Sequence, residues 1–198
     1  VGRCDDSIVR VVKEREMILR RARGYAPLPV TVNKPFAKPV LAVGGHLKNT
    51  VVLAINNQVF LSPHIGDLDT AKACAAHGEA TDLLCDIYQA KPELIAHDLH
   101  PDYRSSQMTE GRKAHKISVQ HHYAHALACM ADNNVQAPCM AVTWDGTGLG
   151  TDHSIWGGEF LQITPQSYER ALSLKPFPLP GGEACLLYTS DAADEVVR

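Results

Sequence analysis

Nowhere do the 198 residues string together the roughly 18 apolar residues that a bilayer-crossing helix needs. A helical membrane anchor is thereby excluded as a reading of this sequence. Closely spaced cysteines are missing too. Cys4, Cys74, Cys85, Cys129, Cys139 and Cys185 are scattered without C-x-x-C spacing, which excludes a zinc ribbon and a thioredoxin-type redox motif. Scattered thiols with no secretory leader ahead of them read as reduced, buried residues of a cytoplasmic protein. An excess of one charge is also lacking. The net charge of −3 gives no general attraction to nucleic acid or to an anionic membrane, so neither is an expected partner. There is no initiator Met and no signal-peptide core, and the opening Val1-Gly2-Arg3-Cys4 reads as a chain cut from something longer.

What the sequence does hold is histidine, glycine pairs and a regular alternation of short apolar runs. Residues 1–38 read as a separate piece: a short strand at Ile8, Val9, Val11 and Val12, the basic run Arg20, Arg21 and Arg23, then Pro27, Pro29, Pro35 and Pro39, which break helix and sheet. A regular domain starts after them. Residues 40–43, 50–55 and 58–62 predict three strands joined by short turns, with Asn56-Asn57 as a tight hairpin turn. Residues 70–90 predict a helix with Ala71, Cys74, Ala75, Leu83 and Ile87 broadly on one side. A buried strand at 94–96, a helix at 103–111, a strand at 117–119, a helix at 121–132 and a strand at 139–144 follow, and residues 154–163 pair back as a hairpin. The order is βββ-α-β-α-β-α and then a new hairpin, which predicts a mixed α/β sheet covered by helices.

His121 and His125 are four apart, and on a helix this puts both imidazoles on one face, able to share a metal. A zincin protease needs Glu directly after the first His, and His122 stands there instead. Two ligands are too few, so a carboxylate or water must join them, and Asp145 is the best local candidate. His and Asp ligation suits Fe²⁺ or Zn²⁺. Asp145-Gly146-Thr147-Gly148-Leu149-Gly150 follows an apolar strand, where glycines let backbone amides approach phosphate; a tight hairpin turn would use the same residues. Gly157-Gly158 and Gly181-Gly182 add two weaker glycine pairs. His97, Asp98 and His100, at the end of a buried strand, are candidates for acid–base or substrate-positioning work, with a solvated loop as the alternative. Arg20, Arg21 and Arg23 suit phosphate clamping, or simply a solvated strand edge.

The element order resembles the ribonuclease-H-like half-domain of the actin-like ATPase superfamily, in which two such halves bind nucleotide between them. In that superfamily the turn Gly44-Gly45-His46-Leu47-Lys48-Asn49 faces the phosphates, making Lys48 a phosphate contact; a solvated turn lysine accounts for it equally well. More specific strings lie along the chain. Cys4-Asp5-Asp6-Ser7 and Leu19-Arg20-Arg21-Ala22-Arg23-Gly24-Tyr25-Ala26-Pro27 look like the end of a YrdC-like domain. Val43-Gly44-Gly45-His46-Leu47-Lys48-Asn49-Thr50, Ser62-Pro63-His64-Ile65-Gly66-Asp67-Leu68, His97-Asp98-Leu99-His100-Pro101-Asp102-Tyr103, Val119-Gln120-His121-His122-Tyr123-Ala124-His125-Ala126 and Asp145-Gly146-Thr147-Gly148 with Trp156-Gly157-Gly158-Glu159-Phe160 resemble the HypF family of [NiFe]-hydrogenase maturation carbamoyltransferases. The resemblance runs from residue 1 to about residue 184.

The resemblance implies a remnant of a YrdC-like domain and linker at 1–38 and a partial Kae-type carbamoyltransferase domain at 39–184, truncated before its second half is complete. It implies that carbamoyl phosphate and ATP give carbamoyl-adenylate, whose carbamoyl group passes to the C-terminal cysteine of the partner HypE for synthesis of the cyanide ligand. His121, His125 and Asp145 would be metal ligands, and Asp145 with Gly146, Thr147, Gly148, Gly150, Gly157, Gly158, Gly181, Gly182 and Lys48 would serve nucleotide or metal. Tyr123 stands where the family usually has a third consecutive His. The acylphosphatase-like and zinc-finger regions of the family are missing, so the chain by itself is expected to be inactive or weak. Residues 185–198 look like the translation of a sequencing adapter and are expected to be non-native. Other readings are an O-carbamoyltransferase acting on a small-molecule hydroxyl, a metal- and nucleotide-binding module without chemistry, and a truncated product with no function.

Overall fold

The computed structural model describes residues 5–176, which form two compact units dividing between Val119 and Gln120. The N-terminal unit opens with a hairpin, β1 (Ile8–Val12) and β2 (Arg15–Arg20), turning through Lys13 and Glu14, both at positive φ. It continues with β3 (Pro29–Thr31), β4 (Val40–Ala42), β5 (Val52–Ile55), β6 (Gln58–Leu61), α1 (Ala71–Ile87), β7 (Leu94–Asp98), α2 (Arg104–Gln107) and β8 (His115–Val119). A six-stranded sheet has the order β3-β6-β5-β4-β7-β8. β4, β5 and β6 form the expected antiparallel meander, while β7 and β8 add in parallel through helical crossovers. Asn56 takes a positive φ at the β5–β6 turn, a conformation its short polar side chain tolerates.

The proline-rich stretch differs from expectation. Instead of breaking the sheet, Pro29–Thr31 adds to it as an edge strand against β6. Pro29 is the first residue of that strand, a position where its missing N–H is tolerated.

The core of this unit is Leu41, Val43, Val51, Leu53, Phe60, Leu84 and Ile95. Each such burial contributes about 1.5–3 kcal/mol. Thr70 caps α1 by accepting from the Ala73 amide at 3.1 Å. The face of α1 is not the expected one. Leu83 and Ile87 are exposed, and the buried positions are His77, Thr81 and Leu84. Two of these are polar, and each finds a backbone partner: His77 Nε2 lies 3.1 Å from the Val43 carbonyl, leaving Nδ1 buried without a partner among the described residues, and the Thr81 hydroxyl donates to the His77 carbonyl at 2.8 Å. A hydrogen-bonded polar group can be buried at modest cost, so here it takes the place of an apolar one. α2 is also shorter than predicted: after Gln107 the chain closes in turns, with the Thr109 hydroxyl donating to the Ser106 carbonyl.

The C-terminal unit comprises α3 (His121–Asp132), β9 (Cys139–Leu149), β10 (Ile155–Ile163) and β11 (Tyr168–Ser173), with strand order β11-β10-β9. α3 spans the expected residues. Its core partners are Ala126 with Trp156, Leu161 and Ile163, joined by Tyr123, Met130 and Tyr168. The expected hairpin from Cys139 is present, but it shares its unit with α3. Among the described residues no helix is long and apolar enough to cross a membrane.

Candidate metal centre

The run Asp145-Gly146-Thr147-Gly148 is strand and not loop: β9 continues through it to Leu149, and the turn comes at 150–154, closed by the Gly150 amide donating to Ser154 and the His153 amide to Gly150. The ladder with β10 is irregular at this point. Trp144 faces Gly158 and Gly148 faces Trp156, so Asp145, Gly146 and Thr147 lie opposite Gly157 alone. That is a β-bulge, a device that re-aims side chains and recurs beside functional sites. A bulge needs the partner strand to be defined, so the glycine run alone reads as a loop.

The bulge presents Asp145 to the first turn of α3. Asp145 Oδ2 lies 2.8 Å from His121 Nε2 and 3.6 Å from His125 Nε2, and the two imidazole nitrogens are 3.3 Å apart. Metal bonds of about 2.0–2.2 Å place neighbouring donors roughly 3.0–3.5 Å from one another, so this His-His-Asp set has the spacing and chemistry to hold a divalent ion. His121 and His125 are one turn apart on α3, as the four-residue spacing requires, and Asp145 reaches them from β9. Burial pushes the Asp145 carboxyl pKa up, but hydrogen bonds and charge from His121 and His125 outweigh it. The group is held well below the usual carboxylate range and is an anion at neutral pH. A groove of about 520 Å³ borders the triad at His125 and Asp145 and continues past Cys129, Met130 and Cys139.

The glycines around the triad act chiefly by leaving room. A Cβ on Gly148 would stand 2.7 Å from His122 Cε1 and 2.9 Å from His121 Cβ, so only glycine lets α3 seat against β9 here. A Cβ on Gly150 would collide with the Trp156 ring, whereas Gly157 has space for one. Two residues along β10 from Gly157, Glu159 is buried, accepts from the Gly157 amide at 3.0 Å and pairs with Arg170 at 2.6 Å. Arg170 in turn stacks over the Trp156 ring at 4.2 Å. The Trp156 indole donates to Asp152, whose carboxyl is held at about 2, chiefly by hydrogen bonds from Ser154. Gly181 and Gly182 lie outside the described residues.

The other candidates fall in the N-terminal unit and are locally engaged. His97 lies at the end of β7 with Nδ1 2.8 Å from the Asp98 carbonyl and Nε2 3.4 Å from the Ser118 hydroxyl. Asp98 Oδ1 accepts from the His100 amide at 2.8 Å, His100 Nδ1 accepts from the Asp102 amide at 3.2 Å, and the His100 ring stacks on Tyr103. Lys48 is exposed, takes a positive φ, and donates its backbone amide to Asp67 at 2.7 Å. In the basic run Arg23 pairs with Asp6, and Arg21 reaches the Tyr25 carbonyl. The residue count missed His46, whose Nε2 lies 2.9 Å from Asp69 and whose ring approaches Tyr103 at 5.7 Å, joining the loops after β4 and β7. It also missed Gln120 and His122, which are both buried.

Comparison with known proteins agrees with this architecture. The family model of the HypF Kae1-like domain matches residues 35–132. That of the second subdomain of the Kae1-like carbamoyltransferase domain matches residues 141–193, a span that includes part of the segment expected to be non-native. Carbamoyltransferase HypF of Synechocystis sp. is 47% identical over 93% of this chain and 24% of its own length. That of Rhizobium leguminosarum is 43% identical over 92% of this chain and 24% of its own. A crystal structure of full-length HypF in the phosphate- and nucleotide-bound form superposes with a TM-score of 0.88 at 42% identity, covering 93% of this chain and 29% of that one. The T. kodakarensis HypF structure gives 0.82 at 35% identity, covering 92% and 24%. The class is thus a Kae1-like domain of the actin-like, mixed α/β type. This chain belongs to the HypF carbamoyltransferase family and spans about a quarter of the length of the curated relatives it matches.

Proposed function

We propose that this chain is the part of a carbamoyltransferase that holds a divalent metal, Fe²⁺ or Zn²⁺, through His121, His125 and Asp145. The observation that carries the reading is the convergence of those three donor atoms, all within 4.8 Å of one another. Bound there, the metal would supply Lewis-acid polarisation of the carbamoyl donor. The donor in this reading is carbamoyl-adenylate made from carbamoyl phosphate and ATP, and the acceptor is the C-terminal cysteine of HypE. The thiolate sulfur bonds to the carbamoyl carbon as the carbon–oxygen bond to AMP breaks, giving a thiocarboxamide destined for the cyanide ligand of [NiFe]-hydrogenase.

The chain's own residues have separate tasks. His121 and His125 offer ring nitrogens, and Asp145 offers a carboxylate already ionised at neutral pH. In the C-terminal unit the amides of Gly146, Thr147, Gly148 and Gly158 are the proposed nucleotide contacts, those of Gly150 and Gly157 already donating to Ser154 and Glu159. In the N-terminal unit Lys48 is a proposed phosphate contact, and His97, Asp98 and His100 are the proposed acid–base or positioning groups. The described cysteines Cys74, Cys85, Cys129 and Cys139 are free thiols, which supports a reducing, cytoplasmic setting.

The test is carried out in a full-length HypF relative substituted at the positions aligned with His121, His125 and Asp145. Transfer of labelled carbamoyl to HypE is expected to fall by roughly two orders of magnitude, equivalent to a few kcal/mol of lost charge stabilisation. Carbamoyl-phosphate-dependent ATP–pyrophosphate exchange, which reports adenylate formation, is expected to persist. Unchanged transfer to HypE by the substituted proteins would overturn the proposal.

A further inference from the structure

His122 sits between the two candidate ligands in sequence, yet it is fully buried and points the other way, into the sheet on the same side as Ala126. Its hydrogen bonds are specific. Nε2 lies 3.0 Å from the Gly157 carbonyl and 3.4 Å from the Asp145 carbonyl, and Nδ1 lies 3.1 Å from Gln120 Nε2. Two carbonyls on one side and an amide N–H on the other fix the tautomer: Nε2 carries the proton and Nδ1 accepts. Those carbonyls belong to the residues that face each other across the bulge, Asp145 on β9 and Gly157 on β10, neither of which has a register partner in the ladder.

We infer that His122 is the positioning residue of the metal centre: its Nε2–H ties the β9–β10 bulge to the first turn of α3 and thereby sets Asp145 against His121 and His125. Gln120 completes the device. Its Oε1 accepts from the Tyr123 amide at 2.9 Å and caps α3, while its Nε2 reaches both His122 and the Leu149 carbonyl. Gly148 leaves the space in which the His122 ring stands. The inference rests on the metal reading above. It goes beyond that reading by assigning ligand geometry to a residue that is not a ligand.

The test is Zn²⁺ and Co²⁺ titration of the chain and three variants, with thermal unfolding measured in parallel. His122→Gln places an amide N–H where Nε2 stood. His122→Asn keeps polarity but holds its amide at the Nδ1 position, short of the carbonyls, and His122→Leu removes the donor. His122→Gln is expected to bind Zn²⁺ within a few-fold of the unaltered chain and to give the same Co²⁺ absorption spectrum. His122→Asn and His122→Leu are expected to bind about 10–100-fold more weakly, as second-layer changes at metal sites do. If His122→Leu does not fold, His122→Asn carries the comparison. Equal Zn²⁺ affinity in the unaltered chain and His122→Asn would overturn the inference and leave the metal reading standing. An affinity lost equally in His122→Gln and His122→Asn would show packing and not the Nε2–H bond at work, and would overturn it too. No Zn²⁺ or Co²⁺ binding by the unaltered chain would overturn the metal reading and the inference together.

Discussion

A carboxylate lying 2.8 Å from one imidazole nitrogen and 3.6 Å from another is an arrangement that the single residue Asp145 cannot specify. It depends on the glycine three residues later. Replacing Gly148 with Ala puts a methyl group into His121 and His122, neither of which can retreat from the first turn of α3. Gly148→Ala is expected to cost about 1–3 kcal/mol in chemical denaturation, the usual range for overpacking, and to weaken metal retention alongside. A variant as stable as the parent with full metal retention would contradict this account of the seat. Gly157→Ala is the control, since its Cβ meets only ordinary contacts at 3.5 Å and beyond. At this scale the ligand pair was legible in the sequence, because two histidines four apart on a helix share a face whatever surrounds them. His122 was not legible. Its role follows from two carbonyls that only the folded hairpin brings to it.

Helix α1 shows how an element is placed by polar as well as apolar burial. Counting apolar letters favours Leu83 and Ile87, but the helix turns His77, Thr81 and Leu84 inward because the first two find backbone partners. This gives α1 a pH dependence. Burial pushes the His77 imidazole below its ordinary value, opposed by the hydrogen bond to Val43 and reinforced by Arg112. A depressed folded-state value means that protons bind the unfolded chain more readily. His77 therefore adds stability that is complete above about pH 6.5 and is lost as pH falls through the folded value. His77→Gln keeps a donor for the Val43 carbonyl and removes the titration. Its denaturation midpoint is expected to fall less steeply below pH 6.5 than the parent's, with His64 and His122, both also depressed by burial, keeping part of the slope. An identical slope in both proteins would refute this. Thr70→Ala removes the α1 cap and is expected to cost about 1 kcal/mol in the same assay. The β9 bulge lies at the other extreme of legibility: it is a relation between two strands, and no pattern within residues 139–149 marks it.

Across the whole molecule, the element order βββ-α-β-α-β-α was legible because each short apolar run and each turn carries its own local signal, and β4 to α3 follow that order. The added edge strand β3 was hidden by its prolines, and the division at Val119 is a property of contacts that sequence does not display. The chain spans about a quarter of its relatives' length, so carbamoyl transfer to HypE by these 198 residues alone is expected to be weak or absent in a labelled transfer assay. Robust turnover would contradict that expectation. The central claim, that His121, His125 and Asp145 form a metal centre, is tested most directly by elemental analysis of the purified chain beside His121→Ala, His125→Ala and Asp145→Asn. The account predicts a single bound Fe or Zn ion in the unaltered chain and a clear loss in each variant; metal content left unchanged by all three substitutions would contradict it.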